Sequence, residues 1–393
     1  MSGSWRKGML SEGIHLLSGQ HIEANNYRSQ PPGIPYLTGP ADFPNGQIIV
    51  SKYTSEPKVV CLPGDILLTV KGSGTGQIVK ANDSYCISRQ LMAVRATKFD
   101  ADFVFYVLDA HQERYSNAAS GLIPGITRED VLNTPILIPP LPEQRKIAEI
   151  LSTWDEAIAI TERLIGALKQ RKQALMQLLL TGQVRFPEFE GEWEEVQLGV
   201  HIDLLTGFAF KSEAYTDDSG IRLLRGINVT GGKLRWDFNI TKYWETSAGF
   251  EKYLVEESDV IIAMDGNVGK NYARVENHDL PALLVQRVAR LRAKAGLNQH
   301  YLFQQIADPR FIKHAEQLKT ATAIAHISPH DIRSYTVGLP SVSEQEQIAD
   351  ALDLLDHETR LNVAGLEMLQ TQKRGLMQRL LTGQVRVAVG DGA

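Results

Sequence analysis

The sequence reads QLLLTGQVR at 177–185 and QRLLTGQVR at 378–386, almost the same nine letters 201 residues apart. A single LLTG is a helix running into a glycine stop, because Gly takes the left-handed conformation after the last turn that Ala resists. Two copies at a fixed distance point to duplication. At the same offset, residues 143–185 match 344–386 at 18 of 43 positions, beginning with Glu143-Gln144 and Glu344-Gln345. Upstream, ITREDVLNTPILIPPLPEQ (126–144) faces ISPHDIRSYTVGLPSVSEQ (327–345). Near the beginnings the offset is 188, with GSWRKGMLSEGIHLLSG (3–19) against GEWEEVQLGVHIDLLTG (191–207). Between these lie GDILLTVKGSG (64–74) and SDVIIAMDGNVG (258–269). The drift falls in the globular stretches, so loops differ there while the ends are kept. The chain is two copies of one plan, a globular unit followed by a helix.

The helical segments carry an apolar stripe on the 3.5-residue period of a coiled-coil seam. In the first copy it runs Ile147, Leu151, Trp154, Ile158, Thr161, Ile165, Leu168, Lys172, Leu175, Leu179. In the second it runs Ile348, Leu352, Leu355, Thr359, Asn362, Leu366, Leu369, Lys373, Leu376, Leu380. Pro142 in the first turn and Glu143 beside the positive helix end are start signals. Helices of about 40 residues extend roughly 60 Å at ~1.5 Å per residue. Each stripe must be buried, either on its duplicate or on its own globular unit. Antiparallel pairing of the duplicates sets Thr161 near Asn362, a polar layer that would fix register.

The globular units read as mixed α and β. CLPGDILLTV and LVEESDVIIAM have the look of buried strands entered from a turn, and FDADFVFYVLDAHQERYSN and LNQHYLFQQIADPRFIKHAEQL have helical spacing. The expected fold class is α+β: two duplicated globular domains and two long helices packed as an antiparallel coiled coil with pseudo-twofold symmetry. Its parts are a globular domain over 1–141, a helix over 142–185, a second domain over 186–342, a second helix over 343–386 and a tail over 387–393.

At 393 residues with 43% hydrophobic and 22% charged content, the chain is long enough for several cores. No run of eighteen apolar residues suggests a membrane span, and the start lacks a secretory h-region. Two cysteines without a CxxC or a zinc-spaced His cluster suit a reduced cytoplasmic protein without a structural metal. The net charge of −5 argues mildly against nucleic-acid binding, so a DNA grip requires local patches or a partner that shares the phosphate charge.

Enzyme signatures are weak. GSGTG (72–76) lacks the GxGxxG order of a dinucleotide loop, and GNVGKN (266–271) has neither Walker spacing nor a Ser/Thr after Lys270. There is no Asn-Pro-Pro-aromatic tetrapeptide to hold a flipped adenine, and the histidines are scattered. Two readings of the Gly-rich loops stand: tight turns between strands, or a polar surface that reads DNA. The second has suitable residues in Lys71, Ser73, Thr75 and Gln77, with Arg89 and Gln90 following. In the second copy they are Asn267, Lys270 and Asn271, with Gln286 and Arg287 following. Arg pairs with guanine and Gln or Asn with adenine in the major groove, while Lys and Ser contact phosphate.

The duplicated order P-x-x-EQ…IA…L…D followed by LM-x-x-LLTG resembles the DNA-specificity subunits of type I restriction-modification systems, over the whole chain. GFAFKSEAY (207–215) and RGINVTGGKL (225–234) are similar to the globular units of that family, which adds Lys211, Arg225 and Asn228 as DNA-binding candidates. The first copy departs there, with GQHIEANNY and TGPADFPNGQ. The resemblance implies a non-catalytic subunit with two target recognition domains, each contacting half of an interrupted double-stranded DNA target. It implies a helix pair that spaces the halves and docks two methyltransferase subunits. S-adenosylmethionine for adenine N6 methylation, and ATP and Mg on two restriction subunits where a nuclease is present, would belong to those partners. A duplicated scaffold that assembles other proteins without DNA, and a self-sufficient nuclease or methyltransferase, are the competing readings.

Overall fold

Each globular unit is built on a four-stranded antiparallel sheet whose strand order is the same in both copies. A computed structural model describes residues 4–72, 74–118, 125–267, 269–318 and 326–388. By contacts the chain divides into a first unit, Met1–Glu162 with Ala364–Ala393, and a second, Arg163–Val363. The division falls inside both long helices, Leu141–Leu179 and Val342–Leu381.

In the first unit the sheet runs Ile14–Ser18, Leu91–Ala96, Ile66–Thr69, Ile78–Lys80. In the second it runs Ile202–Thr206, Val288–Ala293, Val260–Ala263, Tyr272–Arg274. The central strands ILLT and VIIA are buried at every residue, which is why they read as unbroken apolar runs rather than alternations. Ile66 and Leu68 join a core with the helix Ala101–Ala110, while Leu67 faces a second core with Leu37 and Ile87. Val260 and Ile262 likewise pack toward the helix Gln299–Ala307, and Ile261 toward Leu224 and Leu284. A parallel pair recurs beyond each sheet, Tyr36 beside Cys86 and Leu223 beside Leu283. The mixed α and β reading of the globular units agrees with this architecture.

Local signals explain the helices. Asp100 accepts from the backbone N–H groups of Asp102 and Phe103, and Asn298 does the same for His300 and Tyr301, each capping its helix. Thr127 with Asp130, and Ser328 with Asp331, form capping boxes ahead of the next short helix. A two-stranded ribbon then leads into each long helix, Arg6–Met9 with Pro135–Ile138 and Glu194–Gln197 with Thr336–Leu339.

The repeated glutamine ties the long helix to its globular unit. Gln144 accepts from the N–H of Asp100 (2.9 Å) and donates to the Pro139 carbonyl, and Gln345 accepts from Asn298 (2.7 Å) and donates to the Pro340 carbonyl. Ile147 and Leu151 sit in the first unit's core with Met377 and Leu380 from the end of the second long helix. In the second unit, Ile348 and Leu352 share a core with Met176 and Leu179 from the end of the first. The start of each stripe is therefore buried on its own globular unit, together with the end of the other helix.

Candidate nucleic-acid interface

The antiparallel sheet order brings the sequence-selected loops together. Thr69, which precedes the Gly-rich loop, pairs with Leu91, which follows Arg89-Gln90; Ala263 pairs with Val288 in the second unit. The loop and the turn then bond directly, Val70 N–H to the Gln90 carbonyl (2.8 Å) and Met264 N–H to the Arg287 carbonyl (2.9 Å). Each unit thus presents one polar edge built from two short segments.

In the first unit Lys71, Gln77, Arg89 and Gln90 are exposed. Thr75 is half-buried and spends its hydroxyl on the Gly72 carbonyl (2.6 Å), holding the loop closed. Ser73 lies outside the described residues. The departing segment TGPADFPNGQ packs here: an added Cβ on Gly74 would meet Pro40, and one on Gly39 would meet the Gln90 side chain. In the second unit Asn267, Lys270, Gln286 and Arg287 are exposed, and Asn271 is half-buried. Lys270 pairs with Glu316 at 2.9 Å. Arg287 has φ 77°, a left-handed conformation uncommon for a residue with a side chain. Its Nε lies 3.6 Å from Asp265, whose other oxygen bonds His326 Nδ1 (2.6 Å). Nothing in the sequence linked His326 to this edge.

The residues taken from the family-like segments fare differently. Lys211 is exposed. Its loop borders the same turn, since Gln286 N–H donates to the Phe208 carbonyl (2.8 Å). Arg225 is half-buried and donates to the Ile240 carbonyl, with its guanidinium over the Tyr215 ring. Asn228 corrects the expectation: it is 0% exposed. Its Oδ1 accepts from Arg225 N–H (3.0 Å) and its Nδ2 donates to the Arg235 carbonyl (3.1 Å), so it shapes a turn and has no face for a base.

Buried ion pairs stiffen the sheets behind these edges. Arg95 clamps Asp65 through two bonds (2.8 and 2.7 Å), and Arg292 clamps Asp259 (2.6 and 2.9 Å). Each aspartate also accepts a backbone N–H in the turn before its strand, Leu62 and Glu256.

The helix residues form reciprocal pairs. In the first unit Arg386 grips Glu143 with two bonds (2.9 and 2.7 Å) and Lys373 meets Asp155 (2.6 Å). In the second unit Arg185 grips Glu344 (2.8 and 2.7 Å) and Lys172 meets Asp356 (2.6 Å). Every partner is the 201-offset counterpart of the other unit's. Glu143 and Glu344 are 2% and 1% exposed. Burial alone would raise the Glu143 pKa; the Arg386 guanidinium and the Trp5 indole (2.9 Å) outweigh it and hold the carboxyl below its usual range. Gly182 and Gly383, both at φ 69°, turn each chain out of its helix against Trp193 and Trp5, where the following arginine stacks on the ring.

Along the stripe, Ile165, Leu168, Leu179, Leu355 and Leu380 are buried. Trp154, Ile158, Leu175, Leu366, Leu369 and Leu376 are half-buried. Thr161 and Asn362 bond the carbonyls of Ala157 (2.8 Å) and Glu358 (2.8 Å) on their own helices. Among the described residues, no cluster of three or more His, Cys, Asp or Glu side chains is arranged for a metal ion, and no helix is long and apolar enough to cross a membrane.

Comparison with known proteins agrees with this plan. A family profile, the type I restriction modification DNA specificity domain, matches residues 4–170 and again 190–369. The specificity subunit of type I restriction enzyme MjaVIII from Methanocaldococcus jannaschii is 26% identical over 356 residues, covering 86% of this chain and 84% of that one. The EcoAI specificity subunit of Escherichia coli is 29% identical over 222 residues, 56% of this chain and 37% of the relative. The crystal structure of the type I system S subunit from M. genitalium superposes with a TM-score of 0.64 at 18% identity, covering 96% of each chain. The two repeats thus define a duplicated DNA-specificity protein. The chain belongs to the specificity subunits of type I restriction-modification systems.

Proposed function

We propose that this chain reads a bipartite, asymmetric DNA target, one half with each globular unit, through the loop-and-turn edges around Lys71, Arg89 and Gln90 and around Asn267, Lys270 and Arg287. The two long helices pair antiparallel as a coiled coil along their length and act as a rigid spacer between the halves. They also dock two adenine-N6 methyltransferase subunits and, through them, restriction subunits. The chain itself is non-catalytic and works in the cytoplasm; S-adenosylmethionine, ATP and Mg are held by the partners.

The observation that carries the spacer reading is the reciprocity of the helix pairs. Within one unit, the residue numbers of Lys373 and Asp155 add to 528 and those of Arg386 and Glu143 to 529, and the counterpart pairs repeat both sums in the other unit. A constant sum is the signature of antiparallel register, and counterpart pairs are what a pseudo-twofold contact requires. Half-sites about one helical turn apart face the same side of the duplex, so a stiff pair makes their separation a structural constant. The decisive experiment inserts one helical turn at matched positions in both helices and maps methylated adenines in cells with the methyltransferase partner. The accepted spacer should lengthen while both half-sites stay the same. An unchanged spacer with methylation intact refutes the ruler; methylation by the purified chain alone refutes the non-catalytic assignment.

A further inference from the structure

The two units differ at one place where duplication predicts sameness. Counting from the helix caps Asp100 and Asn298, Gln112 is the counterpart of Arg310, Ala110 of Asp308 and Asp109 of Ala307. In the second unit Arg310 folds back on Asp308 (3.0 and 3.1 Å) and donates to the carbonyl of Leu180 at the end of the first long helix (3.1 Å). In the first unit the position of the arginine is a cavity of about 1210 Å³. Ala110 and Leu381, the counterparts of both groups that hold Arg310, line it. Gln112 does not fill the space; its Nε2 turns to Asp109 Oδ1 (2.9 Å).

The cavity keeps a carboxylate beside a helix end, with Asp109 and Glu113 in its lining and Lys7 and Arg374 at the same wall. It lies at the carboxyl end of the helix Val342–Leu381, where the helix dipole favours a cation; the carbonyls of Gln378, Arg379 and Leu380 are taken by the turn that follows. Asp109 supplies a carboxylate one position from where Asp308 supplies it in the second unit. Its nearest cation, Lys373, stands 3.7 Å away and is committed to Asp155 at 2.6 Å. Burial raises the Asp109 pKa, and Lys373 only partly offsets this. Met9, Pro135 and Met377 add apolar wall. The volume exceeds the roughly 300–1,000 Å³ that enclose drug-sized ligands, room for several residues around one arginine.

We infer that the first unit's cavity is a docking site for an apolar peptide segment of a partner protein, which inserts an arginine guanidinium between Asp109 and the Leu381 carbonyl. The second unit carries that arginine in cis, as Arg310. This goes beyond the DNA-reading assignment and does not depend on it.

The test is calorimetric titration of the full chain with three capped probes: the tripeptide amide Leu-Arg-Leu, its Leu-Lys-Leu analogue and acetyl-arginine amide. The arginine tripeptide should bind one site at least tenfold more tightly than either of the others. Gln112→Arg, which supplies the side chain from within, should lower that affinity at least tenfold and raise the melting temperature. Asp109→Asn should also weaken binding, with the fold checked by circular dichroism. Arg310→Ala should open a second site and double the stoichiometry. Equal binding of the lysine peptide would refute guanidinium recognition. Equal binding of acetyl-arginine amide would refute a peptide guest in favour of a free small molecule. Unaltered affinity in folded Gln112→Arg would refute the location.

Discussion

Asp353 gives the second unit a calculable acid sensitivity. It accepts from Arg274 (2.6 Å), His300 Nδ1 (2.7 Å) and Gln304 (2.7 Å), and Gln304 continues to Asp356, the partner of Lys172. Burial would raise its pKa, but the bonds from His300 and Arg274 outweigh this and hold the carboxyl at about 2, against an ordinary 3.8. The folded pKa lies below the unfolded one, so the stabilisation is fully present above pH ~4 and is lost as pH falls toward ~2. The difference of nearly two units, at about 1.36 kcal/mol each, corresponds to roughly 2 kcal/mol. Asp353→Asn removes the titrating group while keeping its shape. In urea titrations the wild type should exceed the variant by about 2 kcal/mol near neutrality. That advantage should fall below about 1 kcal/mol by pH 2.5 and vanish only below pH ~2, and the difference between the two proteins cancels the other carboxylates. A constant difference from pH 6 to pH 2.5 would refute the assigned network.

Three further outcomes are expected. Asn228→Ala should destabilise the second unit by about 2 kcal/mol, since a fully buried side chain gives up two hydrogen bonds to the backbone of its turn, while sequence preference at permissive temperature stays the same; a changed target with unchanged stability would reverse that assignment. Lys71→Ala should weaken DNA binding evenly across sequences and reduce the slope of log affinity against log salt by about 0.9, measured in the assembled methyltransferase. Leu352→Ala, at a fully buried position, should cost about 3 kcal/mol, read as a lower urea midpoint.

The duplication, the long helices and the mixed character of the globular units were legible because they rest on local periodicity and on repeated letters. The edges that gather Lys71 with Arg89 and Asn267 with Arg287 were half legible: the segments stood out, but only the sheet order explains why they meet. Asn228 misled because a short polar side chain in a Gly-rich stretch looks the same whether it faces solvent or braces a turn. The heptad count picks out Ile147 and Ile348, which lie in the cores of the globular units, because such a count cannot distinguish a facing helix from the underlying globular core. Arg185 and Glu344 are 159 residues apart, and the repeat alone gave no reason to cross-pair them.

That crossing has a consequence for damage to the gene. The arginine that closes the second copy of those nine letters braces the globular unit of the first copy, so distance along the chain is a poor guide to injury. A stop codon after Thr382 would leave the carboxyl-proximal globular unit with all its anchors. The unit that precedes it, untouched in sequence, would be left with a buried Glu143 held by the Trp5 indole alone, without its guanidinium partner.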